Sequence, residues 1–474
     1  STAATAKPPA EIDNARITDE DIERERRQIG VSQYEHGPCF NRLVSDDGIR
    51  HFAFGFVADD NPLWHEPDYG ETTRWRGLIA PPLFLTTTGI NETPKYDTPE
   101  LKALFKGLYR GVGRYNVGTN WELFRPIRPG DVIYHDSAVS KVEVKQQSSF
   151  SGARTVLDTI RHLYVDRDGV PVAVRYENFI NAERGGSKKV GKHAKTERHV
   201  YTPEEIAKID AQYAAEEIRG ATPRWWEDVA VGDAIVPIVK GPLSTLDIIS
   251  AHVGWGLGTT YGAGPLRYNW KTRQKLSGFF SNDKYGVPQS MIRLHWDPDR
   301  ADELGLPAPY DYGQMRSNWM THAITNWMGD DAWIAGLATQ IRSFNFHGDT
   351  TLITGEVVSK SEPGEPCAIV LSITGTSQRG EVTCTATATV RLPSRADGPV
   401  MLPVPDAELR ARGAKLMADA AARIKARSGP RGREGRRPPD APAKALCAAS
   451  PGASAGYLLP ADGLARPMLD KVRH

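Results

Sequence analysis

The sequence predicts an α+β protein in which one domain occurs twice, because a duplicated loop motif, a preserved spacing and matching strand-rich stretches coincide. Trp64-His65-Glu66-Pro67-Asp68 in the first half is answered by His295-Trp296-Asp297-Pro298-Asp299 in the second. Trp64 to Pro82 and His295 to Gly313 both span 18 residues, and the two copies are offset by 231 at each of these positions. Behind each motif an apolar, helix-like stretch leads into alternating runs rich in Val, Ile, Thr and Tyr. Each half therefore reads as a helix, a loop motif, a central helix and strands able to wrap it.

In chain order, ITDEDIERERRQIG starts with Thr18 three residues before Asp21, a capping-box-like helix start, and residues 1–30 read as a lead-in. In SDDGIRHFAFGFVADD, Ile49, Phe52, Ala53 and Phe56 recur at i, i+3, i+4 and i+7. That period predicts an amphipathic helix ending near Gly55 to Asp59, with the motif in the loop behind it. IAPPLFLTTTG is expected to begin a buried helix, since prolines are tolerated in a first turn. GDVIYHDSAVSKVEVKQQ, ARTVLDTIRHLYVD and VPVAVRYENFINAE read as an antiparallel meander, with a tight turn at Asp166-Arg167-Asp168-Gly169.

The first domain is thus placed at 31–184, and a linker with a helix of its own, YTPEEIAKIDAQYAAEEIRG, at 185–224. In the second domain, 225–395, STLDIISAH repeats the pattern of SDDGIRHFA with an offset of 199. A long buried helix is expected from about Gln314, followed by three strand runs. Roughly 253–290 is an insert carrying Trp255, Tyr261, Tyr268, Trp270, Phe279 and Phe280, suited to a lid or an interface. The tail, 396–474, is helix-prone and then of low complexity, and is expected to lie apart from the core.

A chain of 474 residues exceeds what one core supports, and 40% hydrophobic with 25% charged residues is an ordinary globular composition. With 59 basic against 58 acidic residues the formal charge is +1, so no global field favours nucleic acid or an anionic membrane. Cys39, Cys367, Cys384 and Cys447 lack CxxC spacing, which argues against a zinc site or a disulfide framework and for a cytoplasmic setting. No apolar run is long enough to span a membrane, and Ser1 to Asp21 lacks the order of a signal peptide. Gly-rich phosphate loops, GxSxG and HExxH are all missing from the sequence.

Asp60-Asn61-Pro62-Leu63 resembles the Asp-x-Asn-Pro-x-His motif of the MaoC-like (R)-specific enoyl hydratases and dehydratases of the hotdog fold. NPLWHEPDYGETTRWRGLIAPPLFL is similar to their FAS1-type dehydratase branch, and GDVIYHDSAVSKVEV and GDTTLITGEVVSKSE fit the strand after a Gly-Asp turn in that fold. The resemblance covers about residues 30–395 and implies a tandem (double) hotdog, each a curved antiparallel sheet wrapped around a central helix. It implies addition or removal of water across the C2–C3 bond of an acyl thioester. Coenzyme A would be part of the substrate and no further cofactor would be needed. A homodimer or a hetero-oligomer with another hotdog chain is the implied assembly.

Such chemistry uses a carboxylate and an imidazole on one water, with backbone N–H groups at a helix start for the thioester oxygen. On this sequence the resemblance assigns Asp60, His65, His295 and Gly313 to catalysis, and Asn61, Trp64 and Arg316 to substrate binding. Trp64 fills the first copy's histidine slot, leaving His65 one residue away, and Pro82 there has no N–H to donate. His295 occupies the second copy's slot and Gly313 its helix start, but no acid motif precedes them, so Asp283 or Asp311 would have to supply the carboxylate. Asp297 and Asp299 read as turn residues. Arg74, Arg76, Arg110, Arg114, Arg267, Lys271 and Arg316 are the cations available for coenzyme A phosphates. A non-catalytic acyl-binding or partner subunit is the alternative, because the motif parts are split between halves; a hotdog thioesterase is a third reading.

Overall fold

The computed structural model describes residues 16–35, 38–96, 98–109, 112–146, 154–183, 197–256 and 264–428. Arg110, Tyr261, Cys447 and the low-complexity end of the tail lie outside them. In the first half, helices α1 (Asp19–Arg26), α2 (Asp46–Phe52), α3 (Pro62–His65), α4 (Pro67–Thr72) and α5 (Pro99–Phe105) precede strands β1 (Gly113–Leu123), β2 (Tyr134–Lys145), β3 (Thr155–Val165) and β4 (Pro171–Ala182). Helix α6 (Pro203–Ala214) follows. The second half then runs β5 (Ile238–Lys240), α7 (Thr245–Trp255), α8 (Arg267–Lys275), β6 (Phe280–Asn282), β7 (Pro288–Ser290), α9 (Pro298–Glu303) and α10 (Gly313–Met328). Strands β8 (Trp333–Ile341), β9 (Thr351–Lys360), β10 (Ala368–Ser377) and β11 (Val382–Arg391) and helix α11 (Ala407–Ser428) complete it.

Nine of the strands form one antiparallel sheet in the order β2-β3-β4-β1-β8-β11-β10-β9-β5, so the two halves join through β1 and β8, while β6 and β7 pair with each other. At that seam Gly118 has φ +145°, and a Cβ on it would lie 2.0 Å from the Thr339 carbonyl oxygen, so only glycine lets the strands approach. Neither joining strand is evident in the sequence. In WIAGLATQI small residues dilute the alternation that usually marks a strand.

The repeat offset of 199 is visible in three dimensions. Ser45 and Ser244 cap α2 and α7, their hydroxyls accepting from Gly48 N and Asp247 N. Helix α2 runs on into a π turn at Ala53–Val57, and this segment meets α7 where Gly55 faces Gly254. A Cβ on Gly254 would lie 2.9 Å from Phe56 N, so glycine again sets the separation. Ile49, Phe52, Ala53 and Phe56 are all buried, as their period requires.

The two halves differ at the centre. Helix α10 is the expected long buried helix, with every residue from Gln314 to Met328 buried. Its first-half counterpart is only a 3-10 turn, Phe84–Thr87, not the helix expected from IAPPLFLTTTG. Leu83, Phe84 and Leu85 are buried there. The Thr86, Thr87 and Thr88 hydroxyls donate back to the carbonyls of Leu83, Phe84 and Leu85, competing with helix propagation. Gly89 at φ +108° then turns the chain against His135, where a Cβ would come within 2.6 Å.

The tail helix is a second departure. Leu409 and Leu416 of α11 pack with Phe124, Leu163, Val165 and Val174 on the outer face of the first-half sheet, so this part of the tail belongs to the core. Of the insert's aromatics, Trp255 stacks on Phe56, whereas Tyr268 and Trp270 are exposed.

Candidate active site

The motif loop of the first half is built around Asp59 rather than Asp60. Asp59, two residues before Asn61, is 3% exposed, whereas Asp60 is exposed. Asp59 Oδ1 accepts from Asn61 N (3.0 Å), and Asp59 Oδ2 accepts from Trp64 Nε1 (2.8 Å). Asn61 in turn caps Leu63 N (2.9 Å). His65 Nε2 lies 2.7 Å from the Asp59 carbonyl oxygen, a contact that ties down the loop backbone and does not involve a carboxylate. Trp64, in the histidine slot, therefore seals the acid of its own loop.

A histidine not anticipated from the sequence approaches the same carboxylate from α10. His322 Nε2 stands 3.6 Å from Asp59 Oδ1 and 2.9 Å from Glu216 Oε1, although neither approach is aligned as a hydrogen bond. The buried Lys240 donates to the carbonyls of Val57 and Ala58 (3.2 Å each) and to His322 Nδ1 (2.7 Å). Burial lowers the Lys240 pKa, with Glu216 and Asp59 opposing it. The only trace of this cluster in the sequence is one lysine ending an apolar strand and one histidine inside an apolar helix.

Beside this loop is a small cavity lined by Asn61, Trp64, Trp75, Pro82, Thr325, Asp330 and Trp333, among others, with about 30 Å³ open to the centre of a water-sized molecule. That is room for roughly two waters, not for an acyl chain. Trp64, which the family resemblance assigns to substrate binding, is a buried core residue, as is Trp75 beside it.

The second half presents a different arrangement at the start of α10. His295 is half-buried, and its Nδ1–H donates to the Tyr310 carbonyl (2.9 Å). A carbonyl only accepts, so Nδ1 holds the proton and Nε2 is the basic nitrogen of the neutral ring. Burial pulls its pKa down to about 4, the carbonyls of Tyr310 and Asp311 opposing in part. The imidazole lies 4.1 Å, centroid to centroid, from Tyr312, and His347 Nε2–H donates to the His295 carbonyl (2.9 Å). Tyr312 is the N-cap of α10 and makes no side-chain cap hydrogen bond, so Gly313 opens the helix with its amide dipoles uncapped by a side chain.

Among the described residues no carboxylate pairs with His295. Ser290 stands in the aspartate slot, 231 residues after Asp59, and its hydroxyl accepts from Ile292 N just as Asp59 accepts from Asn61 N. Asp283 is held in the β6–β7 turn by the N–H groups of Tyr285 and Val287. Asp311 is fully buried, with Oδ2 accepting from Asn345 (3.2 Å) and 3.0 Å from Arg316 Nε; burial lifts its pKa to about 6, against the pull of Arg316. Asp297 caps α9 through Asp299 N, the turn role expected of it.

Arg316 is a correction, since it is 2% exposed and donates to the carbonyls of Ser343 and Thr383. It has no reach to a phosphate. Arg74 donates to the carbonyls of Asp331 and Val400, and Arg114 pairs with Asp158. The structure thus does not bring Asp60, His65 and His295 together. Asp59 meets α10 at His322, nine residues beyond Gly313, roughly 13 Å along the axis at 1.5 Å per residue.

A buried network also links the start of α10 to the first-half sheet. Gln314 Nε2 donates to Glu177 Oε1 (3.2 Å), His162 Nε2 is 3.2 Å from Glu177 Oε2, and the His135 and His162 rings meet at 3.0 Å. Burial, aided by Arg175, lowers His162 to about 3. Glu177 is lowered to about 2: burial would raise it, but Arg175 and His162 outweigh that. Among the described residues no group of three or more His, Cys, Asp or Glu could hold a metal ion, and no helix is long and apolar enough to cross a membrane.

Residues 29–175 match the family model of the FAS1-like dehydratase domain region. Among solved structures the chain is similar to a MaoC-like dehydratase, at 18% identity and a TM-score of 0.52 over 77% of this chain and 98% of that one. A MaoC domain protein dehydratase from Chloroflexus aurantiacus (12% identity, 77% and 96% covered, TM-score 0.47) is more distant. So is a Mycobacterium tuberculosis protein described as a double hotdog fold (12% identity, 77% and 97% covered, TM-score 0.43). The curated proteins include no match. Residues 29–175 are thus similar to a FAS1-like dehydratase region, and the chain shares the fold of a MaoC-like dehydratase.

Proposed function

We propose that the chain is an acyl-thioester hydratase or dehydratase, acting on an enoyl-CoA or 3-hydroxyacyl-CoA at the start of α10 in the second half. The observation that carries this reading is His295: a neutral imidazole whose tautomer is fixed by the Tyr310 carbonyl, packed at a 40° tilt against Tyr312, the N-cap of the central helix. In dehydration, Nε2 takes the C2 proton of the 3-hydroxyacyl thioester, the C3–O bond breaks, and the imidazolium returns the proton to the departing hydroxyl as water. The thioester oxygen gathers charge as C2 is deprotonated, and the Gly313 N–H at the positive end of α10 stabilises it. Hydration is the reverse.

The test is turnover of short, branched and bulky enoyl-CoAs and their 3-hydroxy forms by the purified chain. Activity that falls about 10²- to 10⁴-fold in His295→Ala, a general acid–base share, supports the reading. Turnover indifferent to that substitution moves the chemistry elsewhere.

A second reading, a partner subunit whose site is completed by another hotdog chain, is favoured by Ser290 in the aspartate slot and by the sealed Asp59. It predicts activity only on mixing with a chain that carries an intact Asp–His loop. Absence of turnover both alone and in such mixtures rejects both.

A further inference from the structure

His295 and the Gly313 N–H belong to different segments, the motif loop and the start of α10, and one side chain reaches both. His252, on the last turn of α7, meets Trp296, the residue after His295, edge to face with ring centroids 5.6 Å apart. Its Nδ1 lies 3.1 Å from the hydroxyl of Tyr312, the residue before Gly313. Trp255, three residues further along α7, meets the same Tyr312 ring edge-on at 5.8 Å. Helix α7 is itself fixed, by the capping box of Ser244 and Asp247 at its start and by the close approach of Gly254 to Gly55 near its end.

Burial sets the direction of the Tyr312 hydrogen bond. Tyr312 is 6% exposed, and among the described residues the acceptor its hydroxyl meets is His252 Nδ1. A buried phenol keeps its O–H bonded, so Tyr312 donates, His252 Nδ1 offers its lone pair and Nε2 holds the ring proton. Burial favours both neutral states, lowering the His252 pKa and raising that of Tyr312. His252 is the opposite tautomer to His295, whose proton sits on Nδ1. The Tyr312 side chain is therefore held at its hydroxyl by His252, while its ring packs against His295 with centroids 4.1 Å apart.

The pair occurs in one copy only. At the repeat offset of 199 His252 answers to Ala53, and at the offset of 231 Tyr312 answers to Pro81. The copy with Trp64 in the histidine slot has neither member, so the repeated fold does not require the bond.

From these contacts we propose that His252 is a positioning residue: its Nδ1 holds Tyr312, and through Tyr312 it sets the His295 imidazole against the first amides of α10. This rests on the reading of His295 and Gly313 as the reacting site. Displacing reacting groups by about 1 Å costs up to about 10²-fold in rate, so the bond acts on kcat more than on KM.

The test compares His252→Leu, His252→Asn and Tyr312→Phe in the full chain. Asparagine carries Oδ1 where histidine carries Nδ1 and still accepts from Tyr312; leucine cannot, and Tyr312→Phe removes the same bond from its other end while keeping the ring. With an enoyl-CoA that the wild type turns over, kcat should fall about 10- to 100-fold in His252→Leu and in Tyr312→Phe, with KM within about threefold. The double variant should lose no more than either single one, and His252→Asn should stay within about threefold of wild type. A readout without substrate separates this inference from the proposed function. Nitrogen-15 NMR of the imidazoles should show a bare Nδ1 and a protonated Nε2 on His252, and the His295 ring signals should shift in His252→Leu and not in His252→Asn. A chain without turnover that shows these signals loses the proposed reaction and keeps the positioning of His295 by His252. Should His252→Leu fail to fold, Tyr312→Phe carries the same comparison. A proton on His252 Nδ1, His295 signals unmoved by loss of the bond, or equal losses of kcat in His252→Leu and His252→Asn overturns the inference.

Discussion

The neutral state of His295 can be tested without any substrate. In the folded chain its pKa is lowered from 6.5 to about 4, chiefly by burial. Between those values the unfolded chain binds a proton at this position and the folded chain does not. Stability contributed here is therefore complete above about pH 6.5 and is lost as the pH falls towards 4. A shift of about 2.5 units corresponds to roughly 3 kcal/mol at 1.36 kcal/mol per unit. His295→Asn keeps a donor for the Tyr310 carbonyl and cannot titrate. Urea unfolding of both proteins from pH 7.5 down to 4 should show wild type losing about 3 kcal/mol more than the variant. His162 and Glu177 also make the fold acid-sensitive, but they are common to both proteins and cancel in the difference. A stability difference that stays flat with pH refutes the assignment of a half-buried, neutral His295, as would an NMR titration of that ring with a midpoint near 6.5.

Three further outcomes follow from packing. Gly118→Ala forces a Cβ to within 2.0 Å of the Thr339 carbonyl at a φ that favours glycine, and should cost at least about 2 kcal/mol in urea unfolding; a cost under about 0.5 would mean that the β1–β8 seam is not as described. Leu409→Ala should cost about 2 to 3 kcal/mol, whereas a tail helix lying apart from the core would leave the unfolding midpoint unchanged. Trp64→Phe leaves Asp59 Oδ2 without its donor, at about 1 to 3 kcal/mol, and a double-mutant cycle with Asp59→Asn should show coupling above about 0.5 kcal/mol if the indole holds the carboxylate.

The duplicated architecture was legible because it rests on local signals: serine caps at Ser45 and Ser244, a helical period through Phe56, and strands that alternate. The long central helix was legible from Gln314 onward for the same reason. The 3-10 turn at Phe84 was not, since three threonines and Gly89 ended a helix that the apolar run alone would start. Strands β1 and β8 escaped notice because their pairing is non-local, and strand propensity depends on the partner. At the site the sequence marks the loop but not which of its two adjacent aspartates is buried, and the structure buries Asp59 and exposes Asp60. Lys240 ends β5, Glu216 follows α6 and His322 lies inside α10, and no spacing in the sequence could bring them together.

Comparison of the two loops indicates which residues their backbone needs. At its first position the loop needs a side-chain acceptor for the N–H two residues on, and Asp59 and Ser290 both provide one, so the turn survives loss of the carboxylate. At the slot five residues later, Trp64 donates to Asp59, while His295 donates to the Tyr310 carbonyl. Either residue fixes the loop with one N–H. Histidine differs in keeping a second, basic nitrogen, which no backbone requirement explains, and it keeps it beside the one helix start that has an N–H to offer. Retention of that nitrogen in the second half, and its replacement by an indole in the first half, where only a 3-10 turn stands in place of the central helix, is the pattern expected if chemistry was kept in one copy and released in the other.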